Sequence, residues 1–201
     1  MSAVDPDDFD IVLDAARAGG HSALSALWST WNPRLIRYLE GRGALSAEDL
    51  AADVWIELAR GIGRFQGGEE DWARWVFTTA RRRLTDEFRL RSRQGRAEEA
   101  GDELESPDKD PETLVMEQAG LDDALRLIRR LPPDQADAVL LRVVGGLDVA
   151  QVAEIMGRSP GSVRVLAHRG LRRLAELTAL ASHNRKDPVT PKPPPSIERV
   201  R

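Results

Sequence analysis

The sequence predicts an all-α protein: two small helical domains joined by an acidic flexible linker, the second domain carrying a helix-turn-helix. Three observations lead there. Apolar residues recur at three- and four-residue spacing through most of the chain, the signature of helices with one buried face. Residues 97–113 interrupt that pattern with eight acids against Lys109, a net of −7, two prolines and almost no large apolar group, a composition that cannot form a core. Finally, Asp148 to Leu177 reads as two short helices around a tight turn.

Residues 1–18 open as an acidic segment, loose to about residue 8, with a helix starting near Asp8 that carries Phe9, Val12, Leu13 and Ala16. From about His21, Leu24, Leu27, Trp28, Trp31, Leu35, Tyr38 and Leu39 mark the next helix. Pro33 should bend it or reset its start, because proline lacks the donor a helix interior needs. Gly41 and Gly43 should end it. Ser46 is placed to cap a helix from Ala47 to about Arg60, on which Asp49, Asp53 and Glu57 form a stripe at four-residue spacing. Such a stripe can serve metal binding, catalysis or docking of a basic partner. No His or Cys lies near in sequence to complete a metal or catalytic set, so a solvated or docking face is favoured.

Phe65 to Glu70 is rich in turn residues. A long helix is then expected from Asp71, with Trp72, Trp75, Val76, Thr79, Leu84 and Phe88 as its apolar markers. Residues 81–96 of this helix hold seven Arg against Asp86 and Glu87, a net of +5. Aromatics beside arginines can stack bases and hold phosphates, although large aromatics more often anchor a core.

The first domain is expected over 19–96 and the second over 114–180. In the second, Leu121, Ala124, Leu125, Ile128 and Leu131 lie on one helix. Pro132-Pro133 starts another that runs to Gly145-Gly146. Asp148 and Gln151 have the spacing of a capping box. Gly157 suits a left-handed helix stop, Ser159 a cap and Pro160 a first helical position. Val163, Ala167, Gly170, Leu171 and Leu174 should face the core, and Arg164, Val165, His168, Arg169 and Arg172 largely the other side. Between Arg158 and Arg173 there are five arginines and no acid. A helical hairpin with a solvated arginine face is the plain alternative. Caps, turn and charge together favour a helix-turn-helix whose second helix enters a major groove. Residues 181–201, with five prolines after 182, are expected to form an extended tail.

The bulk numbers narrow the function. The 201 residues carry a net charge of −4, with 41% hydrophobic and 31% charged. Overall acidity disfavours nucleic acid, but the clustering of the basic residues outweighs it. The chain has no cysteine, which removes disulfides, thiolate metal sites and cysteine nucleophiles. No phosphate-binding glycine loop and no nucleophile with a neighbouring base is found. The expectation is no enzyme, no cofactor and no metal. No apolar run is long enough to span a membrane and the acidic start lacks a signal peptide's features, so no membrane contact and a cytoplasmic location are expected. An autonomous helix-turn-helix regulator and a nuclease using Asp49, Asp53 and Glu57 are the competing readings. The first is disfavoured because an acidic chain with two small basic faces should bind free DNA poorly.

The order of these parts resembles bacterial RNA polymerase sigma factors of the sigma-70 family, in the extracytoplasmic-function class. LWSTWNPRLIRYLEGRG, AEDLAADVWIELARGIGRF and DWARWVFTTARRRLTDEFRLRSR look like the family's successive regions in the first domain. LIRRLPPDQADAVLLRVVGGLDVAQVAEIMGRSPGSVRVLAHRGLRRL looks like its promoter-reading domain. The resemblance implies a protein that binds core polymerase, recognises promoters, melts DNA and starts transcription. It places Asp49, Asp53 and Glu57 on the clamp helices of the largest polymerase subunit, and further contact on the flap of the second largest. It gives Phe65, Gln66 and Gly67 the capture of a flipped −10 base, and Trp75, Arg81, Arg82, Asp86 and Arg89 the holding and melting of that element. The −35 element falls to Arg164, His168 and Arg169, with Ser162 or Arg158 on phosphate. Val165 stands where many relatives have a polar reading residue, so apolar contact with a thymine methyl is the alternative there. An anti-sigma factor is a further partner that the resemblance implies.

Overall fold

The computed structural model describes residues 8–98 and 116–186, and every regular element within them is helical. The acidic linker from residue 99 on and the tail from residue 187 on lie outside the described residues. In chain order the helices are α1 (Phe9–Arg17), α2 (His21–Arg42), α3 (Ala47–Gly61), a 3₁₀ turn (Ile62–Arg64), α4 (Glu69–Glu98), α5 (Met116–Arg129), α6 (Pro133–Val143), α7 (Val149–Met156) and α8 (Pro160–Lys186).

Helices α1 to α4 form a first bundle. Leu27, Trp31, Leu35, Tyr38 and Leu39 of α2 are buried against Leu50, Val54 and Leu58 of α3 and Trp72, Val76, Phe77 and Ala80 of α4. Phe9, Leu13 and Ala16 place α1 in the same core. Pro33 does not reset α2, which continues through it. An interior proline costs about 3 kcal/mol, but the large apolar residues on both sides of Pro33 are fully buried and burial of each contributes roughly 1.5–3 kcal/mol.

Gly43, at φ +79°, is the left-handed stop of α2. Gly41 is instead a point of close approach. A β-carbon there would lie 2.9 Å from Leu140 Cδ2 and 3.1 Å from Leu125 Cδ2, so a larger residue would push these two leucine side chains aside where α2 meets α6 and α5. Gly170 is a second such point, between α8 and α6, where a β-carbon would stand 2.7 Å from Val139 Cγ2.

Helices α5 to α8 form the second bundle, around Leu125, Ile128, Leu140, Leu141, Val152, Met156 and Val163. Leu171, expected in its core, is half exposed. Helix α8 also runs past residue 180 to Lys186, into the start of the expected tail. Its end lies just before Asp187-Pro188, where the residue preceding a proline is biased away from the helical region.

The two bundles are packed together. At the centre of their interface Asp137 of α6 is buried, with its side chain 3% exposed. Its carboxylate accepts from Tyr38 Oη at 3.0 Å, Arg42 Nε at 2.5 Å and Arg81 Nε at 3.1 Å. Burial first, and then the Asp137 charge, hold the Tyr38 phenol protonated well above its ordinary range, so it serves as a donor. Arg129 Nε donates to the Glu40 carbonyl at 2.6 Å, and Arg74 of α4 pairs with Glu154 of α7 at 2.5 Å.

Candidate nucleic-acid and polymerase surfaces

The helix-turn-helix is built as its sequence requires. Gln151 N–H donates to Asp148 Oδ1 at 2.8 Å while Asp148 N–H donates to Gln151 Oε1 at 2.7 Å, a reciprocal capping box. Gly157 turns the chain at φ +62°. Ser159 Oγ then accepts from Ser162 N–H at 3.2 Å and starts α8. Val152, Ala153 and Met156 pack with Val163 beneath the turn, which fixes the angle between the two helices.

On the outer face of α8, Arg164, His168 and Arg169 are exposed, and none has a protein partner among the described residues. Val165, beside them, is 47% exposed. Two of the expected phosphate contacts are engaged internally. Arg158 pairs with Asp134 at 2.6 Å, and the Ser162 hydroxyl lies 2.9 Å from that of Ser159. Both Arg158 and Ser162 line a shallow hollow of about 470 Å³, together with Asp134, Ser159 and Leu166.

A cleft of about 570 Å³ lies where the 3₁₀ turn and α4 of the first bundle face Glu154 and Ile155 of α7. Phe65, Gln66 and Trp75 line it. Phe65 and Trp75 stack with centroids 5.1 Å apart and planes 6° from parallel. Arg17 lies 5.7 Å from the Phe65 centroid, and a β-carbon on Gly61 would approach the Trp75 ring to 2.8 Å. The aromatic pair is therefore partly a packing feature. Trp72, one turn earlier, is fully buried and belongs to the core.

The loop before α4 is shorter than expected. The helix starts at Glu69, so Glu69, Glu70 and Asp71 form its first turn, where negative charge is favoured by the helix dipole. Gly67 remains in the loop at φ +128°. Arg64 and Arg74 line the cleft as well and were missed by sequence reasoning. Each directly precedes one of the two stacked aromatics in sequence, which was the available signal.

Along α4 every arginine expected at the −10 element has an acidic neighbour. Arg81 is held by Asp137 and Arg82 by Glu57, which also accepts from Arg83 Nη2 at 2.9 Å. Asp86 and Arg89 pair with each other at 3.3 Å and are both more than half exposed. Glu57 is thus turned toward α4 and does not continue the acidic stripe. Asp49 and Asp53 are exposed on α3 without ion-pair partners among the described residues, so two of the three expected docking carboxylates are available. No group of three His, Asp or Glu side chains suited to a metal gathers among the described residues. No helix of the described residues is long and apolar enough to cross a membrane.

Comparison with known proteins matches this geometry. Residues 30–94 fit the family model of Sigma-70 region 2, and residues 121–174 that of Sigma-70, region 4. The chain is 30% identical over 186 residues to the ECF RNA polymerase sigma factor ShbA of Streptomyces griseus, covering 85% of this chain and 97% of ShbA. It is 32% identical over 170 residues to the ECF RNA polymerase sigma factor BldN of Streptomyces coelicolor, covering 83% of this chain but only 64% of BldN's length. The sigma factor RpoE of Bartonella quintana, solved with the anti-sigma factor NepR, shares the fold with a TM-score of 0.59 at 24% identity, over 86% of this chain and 95% of that one. With both of the family's conserved regions present, in order, on the two bundles just described, the chain belongs to the extracytoplasmic-function class of the sigma-70 family of RNA polymerase sigma factors.

Proposed function

We propose that this chain acts by binding alone, dividing promoter recognition between its two bundles while core polymerase holds them. The −35 element is read by Arg164, His168 and Arg169 in the major groove, with Val165 offering apolar contact. A bidentate arginine–guanine contact discriminates by about 1–3 kcal/mol. The −10 element is captured in the cleft beside Phe65 and Trp75, with Gln66 in its lining and Gly67 in the loop that follows, and held along α4 by Arg81, Arg82 and Arg89, with Asp86 positioning Arg89. Asp49 and Asp53 dock on a basic surface of the polymerase, the clamp helices of the largest subunit. The second bundle sits on the flap of the second largest. No bond is made or broken by the chain, and its place of work is the cytoplasm, where polymerase is.

One observation carries this reading. The second helix of a fully capped helix-turn-helix presents arginines and a histidine with no protein partner among the described residues, which is what a groove-reading helix requires. The deciding experiment is transcription from genomic DNA fragments by core polymerase with and without the chain. Stimulation at specific start sites is expected, and equal activity from core alone on every fragment overturns the reading. An anti-sigma factor is a partner of the same proposal, supported by the solved RpoE–NepR complex.

A further inference from the structure

The loop assigned above to base capture has a back as well as a front. Its front is the cleft, where Phe65 stacks on Trp75. Its back is a second hollow, of about 430 Å³, lined by Asp10, Asp14 and Arg17 of α1 and by Gln66, Gly67 and Gly68 of the loop. Gln66 lines both. The rear hollow does not suit DNA, because two carboxylates stand against its one guanidinium and would repel a phosphate. This rear wall comes from outside the matched sigma-70 regions, since α1 ends at Arg17 and the region 2 match begins at residue 30.

The loop's backbone hydrogen bonds pin its two ends. Phe65 N–H donates to the Ile62 carbonyl at 3.1 Å, and the Gly68 carbonyl accepts from Trp72 N–H at 3.0 Å. Between them Gly67 sits at φ +128°, a backbone conformation that favours glycine. Arg17 braces this middle stretch. Its Nη2 lies 3.5 Å from the Gly67 carbonyl, a long contact that restrains more than it binds. Its guanidinium lies over the Phe65 ring, 5.7 Å from the centroid. Arg17 is itself held in place. Asp14, one turn back, accepts from Nη1 at 2.6 Å, and Nε is buried. Leu13 and Ala16 anchor that turn of α1 in the core. One side chain therefore touches the two residues that flank Gln66. A glutamine reads a base edge with a donor and an acceptor set side by side, and its aim depends on the backbone on either side of it.

We propose that Arg17 is a positioning residue for base capture: it fixes Phe65 and Gly67 on either side of Gln66, so that the Gln66 amide meets the −10 base in one geometry. This rests on the function proposed above and adds to it a determinant of base selectivity that touches no DNA itself. A loosely held Gln66 loses the hydrogen bonds of the right base and keeps the contacts any base can make, so selectivity falls first. Phosphate contacts along α4 are untouched, so the salt dependence of binding stays as it was.

The test uses the full chain assembled with core polymerase, on a promoter found by the transcription experiment above and on its versions carrying each base at every −10 position. Binding is read with fluorescein-labelled DNA that is single-stranded over the −10 element. Arg17→Met keeps the aliphatic bulk of the side chain and removes the guanidinium. It should lower the preference for the best base at one position about fivefold, the fold-change of one hydrogen bond lost, with the logarithmic salt slope unchanged. Gln66→Ala should lose the preference at that same position, and adding Arg17→Met to it should cost no further selectivity. Arg17→Lys keeps a cation beside the ring and should restore part of the preference. A role confined to supporting α1 would lower the thermal midpoint of Arg17→Met with the preference intact at every position, and that result overturns the proposal, as does an unchanged preference in a fully stable variant. Equal loss for all bases with a shallower salt slope overturns it as well, by making Arg17 a phosphate contact. Should Arg17→Met fail to fold, Asp14→Asn releases the same guanidinium from a carboxylate that is 73% exposed. It must then reduce selectivity at the same position, and no reduction overturns the proposal. Failure of the underlying function is separately visible, as a parent chain that neither stimulates core polymerase nor prefers any base.

Discussion

Helices α4 and α8 are both arginine-rich, yet their charges are in opposite states. On α8, Arg164 and Arg169 stand in solvent without protein partners among the described residues. On α4, Arg81, Arg82, Arg83, Arg89 and Arg91 each have a carboxylate neighbour. Composition therefore measures how much basic charge a helix carries and not how much of it is available. Surface pairs such as Arg89–Asp86 are worth roughly 0–1 kcal/mol and yield readily to phosphate. The Arg42–Asp137–Arg81 cluster is another matter, because Asp137 is buried.

The contrast can be broken most forcefully at Asp137. Asp137→Ala leaves Arg42 and Tyr38 without their acceptor, and loss of one partner of a buried pair typically costs about 3–5 kcal/mol. Denaturant titration should show a lower midpoint and separation of the unfolding into two transitions. A single, unmoved transition would show that the buried Asp137 contact does not set the Arg81 end of α4 apart from the unpaired arginines of α8.

Arg164→Ala should weaken promoter binding at one base position of the −35 element by about 1–3 kcal/mol and leave other positions unaffected, as read by binding to a set of singly substituted promoters. Uniform loss across the set would make Arg164 a phosphate contact. A smaller effect is expected at the cap of α7, the helix on which α8 packs. Asp148→Ala removes the acceptor for Gln151 N–H and should lower stability by ~1 kcal/mol, measurable as a shift in thermal midpoint. Arg89→Ala should weaken holoenzyme binding to all promoters alike and reduce the logarithmic salt slope by about 1.

The smallest expected effect concerns pH. Glu40, at the α2–α5 contact, has its carboxyl raised above the ordinary 4.5, first by burial and then by Glu48 and Asp122, against Arg129 and Arg37. An acid whose folded pKa is raised binds more protons folded than unfolded, so its contribution to stability falls as pH climbs from about its ordinary value through the raised one. Glu40→Gln should flatten that decline, seen in urea midpoints measured across the acid range.

Much of this architecture was legible because it is local. The caps at Ser46, Asp148 and Ser159, and the left-handed stops at Gly43 and Gly157, depend on a few neighbouring residues and were read from spacing. The helix start at Glu69 was misplaced by two residues because a glycine pair followed by acids reads equally as loop or as first turn. Pro33 misled because its local cost is outweighed by burial of residues that other helices cover. For the site, the aromatic pair and the α8 arginines were visible, while Arg64 and Arg74 came into the cleft only when the 3₁₀ turn folded against α4.

By itself the sequence determined the helices, their ends, the two charged faces and the family to which they belong, since all of these follow from residue type at fixed short spacing. Only the tertiary structure decided which charges are spoken for. That Glu57 turns to Arg82 and Arg83, and that Asp137 reaches Tyr38, Arg42 and Arg81, depends on residues up to 99 positions apart. Pairing at that separation is chosen by how whole helices pack, and no periodicity along the chain encodes it.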